Sequence, residues 1–108
     1  MKPTIGRIVL YMLSADDATQ INRRRTDSDS IRSRMQQDPR AWPEGAQGHI
    51  GNTVKEGDVF PMMIVAVWGQ EFTSLVNGQV FLDGNDVYWA LSVSCGEGPR
   101  HFKWPIRD

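Results

Sequence analysis

The sequence predicts an α+β fold that is mostly β: a small, strongly bent antiparallel sheet or SH3-like barrel of five to six strands, with a helical insertion after the first strand. Short runs rich in β-branched and aromatic residues alternate with Gly-rich turns. One run near the C-terminal end alternates strictly, and one polar, Arg-rich stretch separates the first two apolar runs. With 108 residues, the chain has a common domain size, so we treat residues 1–108 as a single domain.

The first strand is predicted at residues 4–13, where apolar side chains dominate both faces. The polar stretch 14–38 follows as the Arg-rich helical insertion. Ser14, followed by acidic residues, is typical of a helix N-cap. A second short helix is expected to end at Gln37, before Pro39. Because this stretch has a poor apolar face, we expect it on the surface or across a partner subunit.

Residues 39–58 are rich in Pro and Gly and predict an irregular connection that Trp42 pins to the core, with at most a short strand at 49–54. Residues 59–68 are apolar on both faces. This pattern is typical of a central strand, or of a strand that an oligomer partner covers.

The stretch 75–95 is expected to organise the fold. Its second half alternates over nine residues, which predicts a half-buried strand with Trp89 on the core face. The side chains placed on that face are Val87, Trp89, Leu91, Val93 and Cys95. Asn77–Gly78 has two interpretations that stay open, a type I′ hairpin turn or a bulge. After a turn at 96–99, residues 101–106 form the last strand.

Composition limits the function classes. The formal net charge is −1 and the isoelectric point about 6.1, which argues against a general nucleic-acid binder. Cys95 is the only cysteine, so no intramolecular disulfide forms, as is usual in a reducing cytoplasm. The apolar run 8–13 is too short for a secretory signal, and no segment approaches a membrane span. We therefore expect a cytoplasmic protein.

Motifs for catalysis are missing from the sequence. His49 and His101 lack metal-ligand spacing to Cys95. The serines near residue 93 have no nucleophile-elbow context, and the glycines at 96–98 lack the Gly-Lys-Ser/Thr of a phosphate loop. We expect neither an enzyme nor a cofactor or metal.

An arginine cluster is the sharpest chemical feature, with five of the nine arginines within residues 23–34. Guanidinium groups bind phosphates bidentately and stack on flat rings, so the cluster favours an anionic ligand or an acidic partner. On a helix Asn22 and Arg25 share a face, whereas Arg23 and Arg24 point elsewhere. The alternative interpretation is a solvated helical surface with Asp27 and Asp29 as local counter-charges.

Aromatic residues are the second feature, since four tryptophans in 108 residues is high. An aromatic ring beside a guanidinium makes a stacking site for a nucleobase, although core packing explains many tryptophans equally well. The candidate ligand-binding residues are Tyr11, Asn22, Arg23, Arg24, Arg25, Arg32, Trp68 and Tyr88.

Several stretches, among them IGRIVLY (5–11), INRRR (21–25), GHIGNTVKEGDVFPMMIV (48–65) and VNGQVFLDGND (76–86), resemble a family of small uncharacterised proteins of tailed phages and prophages of Gram-negative bacteria. The resemblance covers nearly the whole chain. It implies a phage origin and expression inside the infected host cell, and it assigns no functional residue.

These observations lead to three expected functions. The first is a phage-encoded, non-enzymatic binding protein that sequesters a nucleotide-derived host immune signal, acting as an anti-defence sponge and a homo-oligomer. The second is a protein–protein module that inhibits a host factor or serves virion assembly. The third is a small nucleic-acid-binding barrel, which the acidic isoelectric point disfavours.

Overall fold

The computed structural model describes residues 1–37 and 50–106, and for residues 28–37 the course of the helix only. Its elements, in chain order, are β1 (Ile8–Met12), α1 (Ala15–Gln37), β2 (Val59–Trp68), β3 (Leu75–Phe81), β4 (Val87–Cys95) and β5 (His101–Lys103). The five strands form a closed barrel, with one helix after the first strand. The mostly β class and the small barrel predicted from the sequence are confirmed.

The barrel is a meander that closes through its shortest strand. Strands β1 to β4 pair consecutively and antiparallel. Strand β5 then pairs parallel with β4 and antiparallel with β1. Every strand thus has two hydrogen-bonded neighbours, and β5 closes the barrel by pairing at two positions with β4 and at two with β1.

The core lies inside the barrel and follows the period-2 alternation of the strands. Along β1, Val9 and Tyr11 are buried while Ile8 and Leu10 are exposed. The largest fully buried side chains are Tyr11, Phe102, Leu13, Ile21, Met62, Ile64, Val9, Val76, Val80 and Val93. The core is therefore aliphatic, with one phenol and one phenyl ring.

The predicted core face of β4 is wrong in its first half. Ala90 is buried, whereas Trp89 is 58% exposed and points out of the barrel. The pairing of β3 with β4 shifts by one residue at Leu91–Ser92, and Ser92 has a φ of 55°. A bulge of this kind turns every side chain on one side of it to the opposite face. Beyond the bulge the prediction holds, because Val93 lies in the core and the half-buried Cys95 packs against it.

Asn77–Gly78 lies inside β3 and is not a hairpin turn. The register shifts next to it on both sides, against β2 and against β4, which decides between the two open interpretations in favour of a bulged region. The side-chain oxygen of Asn77 accepts a hydrogen bond from the backbone N–H of Ser92 at 2.9 Å. Asn77 thus stabilises the extra residue of the neighbouring strand.

The insertion differs from its prediction, because a single helix spans Ala15–Gln37 where two were expected. Its first three turns bury Asp17, Ala18, Ile21 and Arg25 against the barrel, so this part is not purely a surface element. The buried side of the helix is narrow and half of its residues are polar. This explains why the sequence shows no apolar periodicity there. In the described part of the chain no helix has the length and apolar character needed to cross a membrane.

The predicted short strand at 49–54 is reduced to a single bridge between Gly51 and Gly84 in its described part. His49 and Trp42 lie outside the described residues. In the last predicted strand Phe102 is buried, but Ile106 is 92% exposed, since β5 has already ended at Lys103.

Candidate ligand-binding groove

The helix that carries the arginines begins with a reciprocal cap. The backbone N–H of Asp17 donates to Oγ of Ser14 at 3.1 Å, and Oδ2 of Asp17 accepts from the N–H of Ser14 at 2.9 Å. This is a capping box with an aspartate at its fourth position, and it satisfies two otherwise unpaired helix donors. The N-cap predicted at Ser14 is confirmed.

The carboxylate of Asp17 also joins the helix to two strands. It accepts a hydrogen bond from the Tyr11 hydroxyl at 2.5 Å and one from the Tyr88 hydroxyl at 2.7 Å. Burial alone would raise the pKa of Asp17, which is 3% exposed. The hydrogen bonds from Ser14 and from both phenols outweigh burial, and the pKa lies below its usual value. Asp17 is therefore a buried anion held by donors.

Both phenols are kept protonated by this arrangement. Burial, and then the hydrogen bond to Asp17, raise the pKa of Tyr88 to about 12 and raise that of Tyr11 further. Tyr11 is 1% exposed and has no surface to offer a ligand. Tyr88 is half-buried and packs against the core, and it also lines an open groove on the surface.

Asn22 fixes the segment that returns from the helix to the barrel. Its amide nitrogen donates to the carbonyl of Val54 at 2.7 Å, and its oxygen accepts from the N–H of Val54 at 2.9 Å. The Asn22 side chain thus satisfies both backbone groups of Val54, as a neighbouring β-strand would. Both hydrogen-bonding groups of this predicted ligand residue are used within the protein.

Arg25 is similarly committed to the fold. Its Nη2 lies 3.1 Å from Oδ1 of Asp86, and the two side chains are 4% and 5% exposed. The guanidinium packs beneath Gly51 and Gly84, where an added Cβ would approach Nη2 to 2.8 and 2.9 Å respectively. Only glycines allow the two backbones to pass this closely over the ion pair. Asn22 and Arg25 of the INRRR motif, three positions apart, therefore lie on the face of the helix that packs against the barrel.

Arg24 lies at the border between this ion pair and the solvent. Its Nη2 is 3.5 Å from Oδ2 of Asp86, and its guanidinium carbon is 5.7 Å from the centroid of the Tyr88 ring. That distance is within the range of a cation–π contact. One side of Arg24 is thus held, and about a third of the side chain remains exposed.

Arg23 is exposed and has no ion-pair partner among the residues that the structure describes. It borders an open groove of about 460 Å³ between α1 and the outer face of β4. The groove is lined by Gln20, Arg23, Arg24, Tyr88, Trp89 and Leu91. Two guanidinium groups and two aromatic rings therefore meet in one concave surface, whose volume is in the usual range of ligand sites.

The remaining predicted residues lie elsewhere. Trp68 ends β2 opposite Leu75 and is 61% exposed, but it does not line the groove. The backbone of Arg32 continues α1, and its side chain lies outside the described residues. The predicted set thus divides into groove residues (Arg23, Arg24, Tyr88) and residues used for folding (Tyr11, Asn22, Arg25).

Sequence reasoning missed Trp89, Leu91 and Gln20 in the groove, and the two acids that organise it. Trp89 was placed in the core because the bulge was not visible. Asp17 and Asp86 had a weaker signal: each is an aspartate next to another acid or amide in a stretch expected to be a cap or a turn.

Another part of the barrel could also bind a small molecule. An apolar cavity of about 250 Å³ lies between β1 and β5, where Leu10, Met12 and Trp104 contribute. No group of three or more His, Cys, Asp or Glu residues among those described could hold a metal ion. The groove is the better candidate because it combines the exposed Arg23 and the partly exposed Arg24 with the exposed ring of Trp89.

Comparisons with known proteins add nothing to this assignment: no protein-family model, no curated protein and no solved structure matches the chain.

Proposed function

We propose that the protein is a non-enzymatic binding protein whose groove takes a planar, anionic, nucleotide-like molecule. The observation that carries the proposal is the meeting of Arg23 and Arg24 with the Tyr88 and Trp89 rings in one groove. A base stacks on an aromatic ring or a guanidinium plane, and a phosphate pairs with a guanidinium. The groove has both kinds of group in its lining.

Sequestration fits this groove better than turnover does. Asp17 and Asp86, the acids that contact the groove residues Tyr88 and Arg24, have largely buried side chains and are hydrogen-bonded or ion-paired, so neither faces a bound molecule as a general base. Together with the resemblance to phage proteins, this supports an anti-defence sponge for a nucleotide-derived host immune signal, acting in the host cytoplasm.

Calorimetric titration of the purified protein with cyclic dinucleotides and ADP-ribose derivatives tests the proposal. We expect one class to bind, and Arg23→Gln to weaken it at least about tenfold, the effect of losing one charge-assisted contact. Arg23 makes no ion pair with the described residues, so this change should leave the fold intact.

Arg7→Gln is the matched control. Arg7 also lies over an aromatic ring, with its guanidinium carbon 5.1 Å from the Trp104 centroid, but on another part of the barrel. Its removal should not change the affinity. Absence of binding by every compound tested, or equal losses in the two variants, would reject the groove as the site.

A further inference from the structure

The outer face of the three-strand meander β2–β3–β4 is apolar. Six of its outward side chains are between 36% and 58% exposed: Met63, Val65, Phe81, Val87, Trp89 and Leu91. The strand registers place them together, since Met63 is opposite Gln79, Gln79 is opposite Trp89, and Phe81 is opposite Val87. Val65 and Leu91 are exposed two positions after Met63 and Trp89 on the same strands, and we call these six side chains around Gln79 the meander face.

None of the three strands contains an Asp, Glu, Lys or Arg. An antiparallel sheet that faces water on one side ordinarily alternates apolar and polar residues, and its solvated face carries charges. Here both faces are apolar, and the interior of the barrel accounts for only one of them. The second face needs a cover of similar chemistry.

The exposed area of the meander face is comparable to the area that one partner buries in a protein–protein interface. The six side chains expose on the order of 600 Å² together, near the roughly 800 Å² that each partner of a standard interface buries. A two-fold dimer brings the same patch of both subunits together, so the patch must complement itself. An uncharged apolar surface meets this condition because it places no like charges opposite each other.

We infer that the meander face binds the meander face of a second copy of this chain, with Gln79 near the centre of the contact. The amide of Gln79 both donates and accepts, so two copies across a two-fold axis can hydrogen-bond to each other. The inference does not depend on ligand binding. Trp89 and Leu91 belong to both the meander face and the groove, so the second copy would also lie beside the groove.

The native mass of the unliganded protein, measured by light scattering, tests this interface. We expect at least twice the chain mass of 12.2 kDa at protein concentrations on the order of 100 μM, well above the Kd of a micromolar dimer. Phe81→Asp and Met63→Asp should each shift the mass to that of one chain. Phe72→Asp is the matched control, because Phe72 is 62% exposed but lies outside the strands.

Cross-linking covers the case in which the aspartate variants do not fold. In a Cys95→Ser background, Gln79→Cys should give a covalent dimer with a short bismaleimide, and Phe72→Cys should not. Arg23→Gln should keep the dimer mass, which separates this test from that of the groove. A 12.2 kDa wild type, equal cross-linking at both positions, or a monomer that binds lipid vesicles or a host protein through this face would overturn the inference.

Discussion

The hydroxyl of Tyr88 donates to Oδ1 of Asp17 at 2.7 Å, across 71 positions of the chain. The same carboxylate binds Tyr11 and caps the helix, so one buried anion connects β1, α1 and β4. This contact fixes the Tyr88 ring in the wall of the groove. The position of the proposed site therefore depends on the stability of the Asp17 network.

Asp17→Asn should destabilise the protein by about 2–4 kcal/mol, because the amide loses the charge that strengthens the hydrogen bonds from Tyr11, Tyr88 and the N–H of Ser14. Chemical denaturation measures the loss. Asp16→Asn is the control, since Asp16 is the exposed neighbour in the same helical turn and should cost less than about 1 kcal/mol. Equal losses for the two variants would show that the network contributes little.

Stability should fall at both ends of the pH range. Folding lowers the pKa of Asp17, so its contribution is present above the ordinary value of 3.8 and is lost as the pH falls through the folded pKa. Folding raises the pKa of Tyr88 from 10 to about 12, so its contribution is present below pH 10 and is lost as the pH rises between those values.

Denaturation at a series of pH values tests this dependence. Tyr88→Phe should reduce the alkaline loss without abolishing it, because Tyr11 titrates in the same sense. An alkaline slope identical to that of the wild type would contradict the role assigned to the Tyr88 hydroxyl.

Arg25→Met should destabilise the fold by about 3–5 kcal/mol, because it removes from the carboxylate of Asp86 the nearer of its two arginine partners among the described residues. Arg23→Met, two residues earlier on the same helix, should cost less than about 0.5 kcal/mol, since Arg23 is exposed. Thermal denaturation of both variants distinguishes an arginine that stabilises the fold from one available to a ligand. A similar midpoint for the two would contradict this division.

Gly78→Ala should cost about 1–3 kcal/mol by overpacking. A Cβ at this position would approach Cγ and Sδ of Met62, which is fully buried inside the barrel. Met62→Val removes the clashing sulfur, so the double variant should be more stable than the sum of the two single changes predicts. Additive losses, measured by urea denaturation, would show that Met62 does not limit this position.

The candidate site was only partly visible in the sequence. Arg23, Arg24 and Tyr88 were selected by residue type, since guanidinium and aromatic groups are chemically suited to nucleotides, and they line the groove. Arg25 was selected on the same ground but is buried against Asp86, 61 positions away. A local sequence pattern contains no information about so distant a partner. The sequence therefore could not distinguish the arginine that stabilises the fold from the arginines that line the groove.

The sequence by itself determined the class of the fold, because β-branched runs, turn clusters and one polar insertion are local signals. It also determined the helix start, since the cap at Ser14 needs only residues within one turn. Only the tertiary structure decided which face of β4 is buried. The bulge at Ser92 depends on pairing with Asn77 in another strand, and a shift of one residue moves Trp89 from the core to the groove.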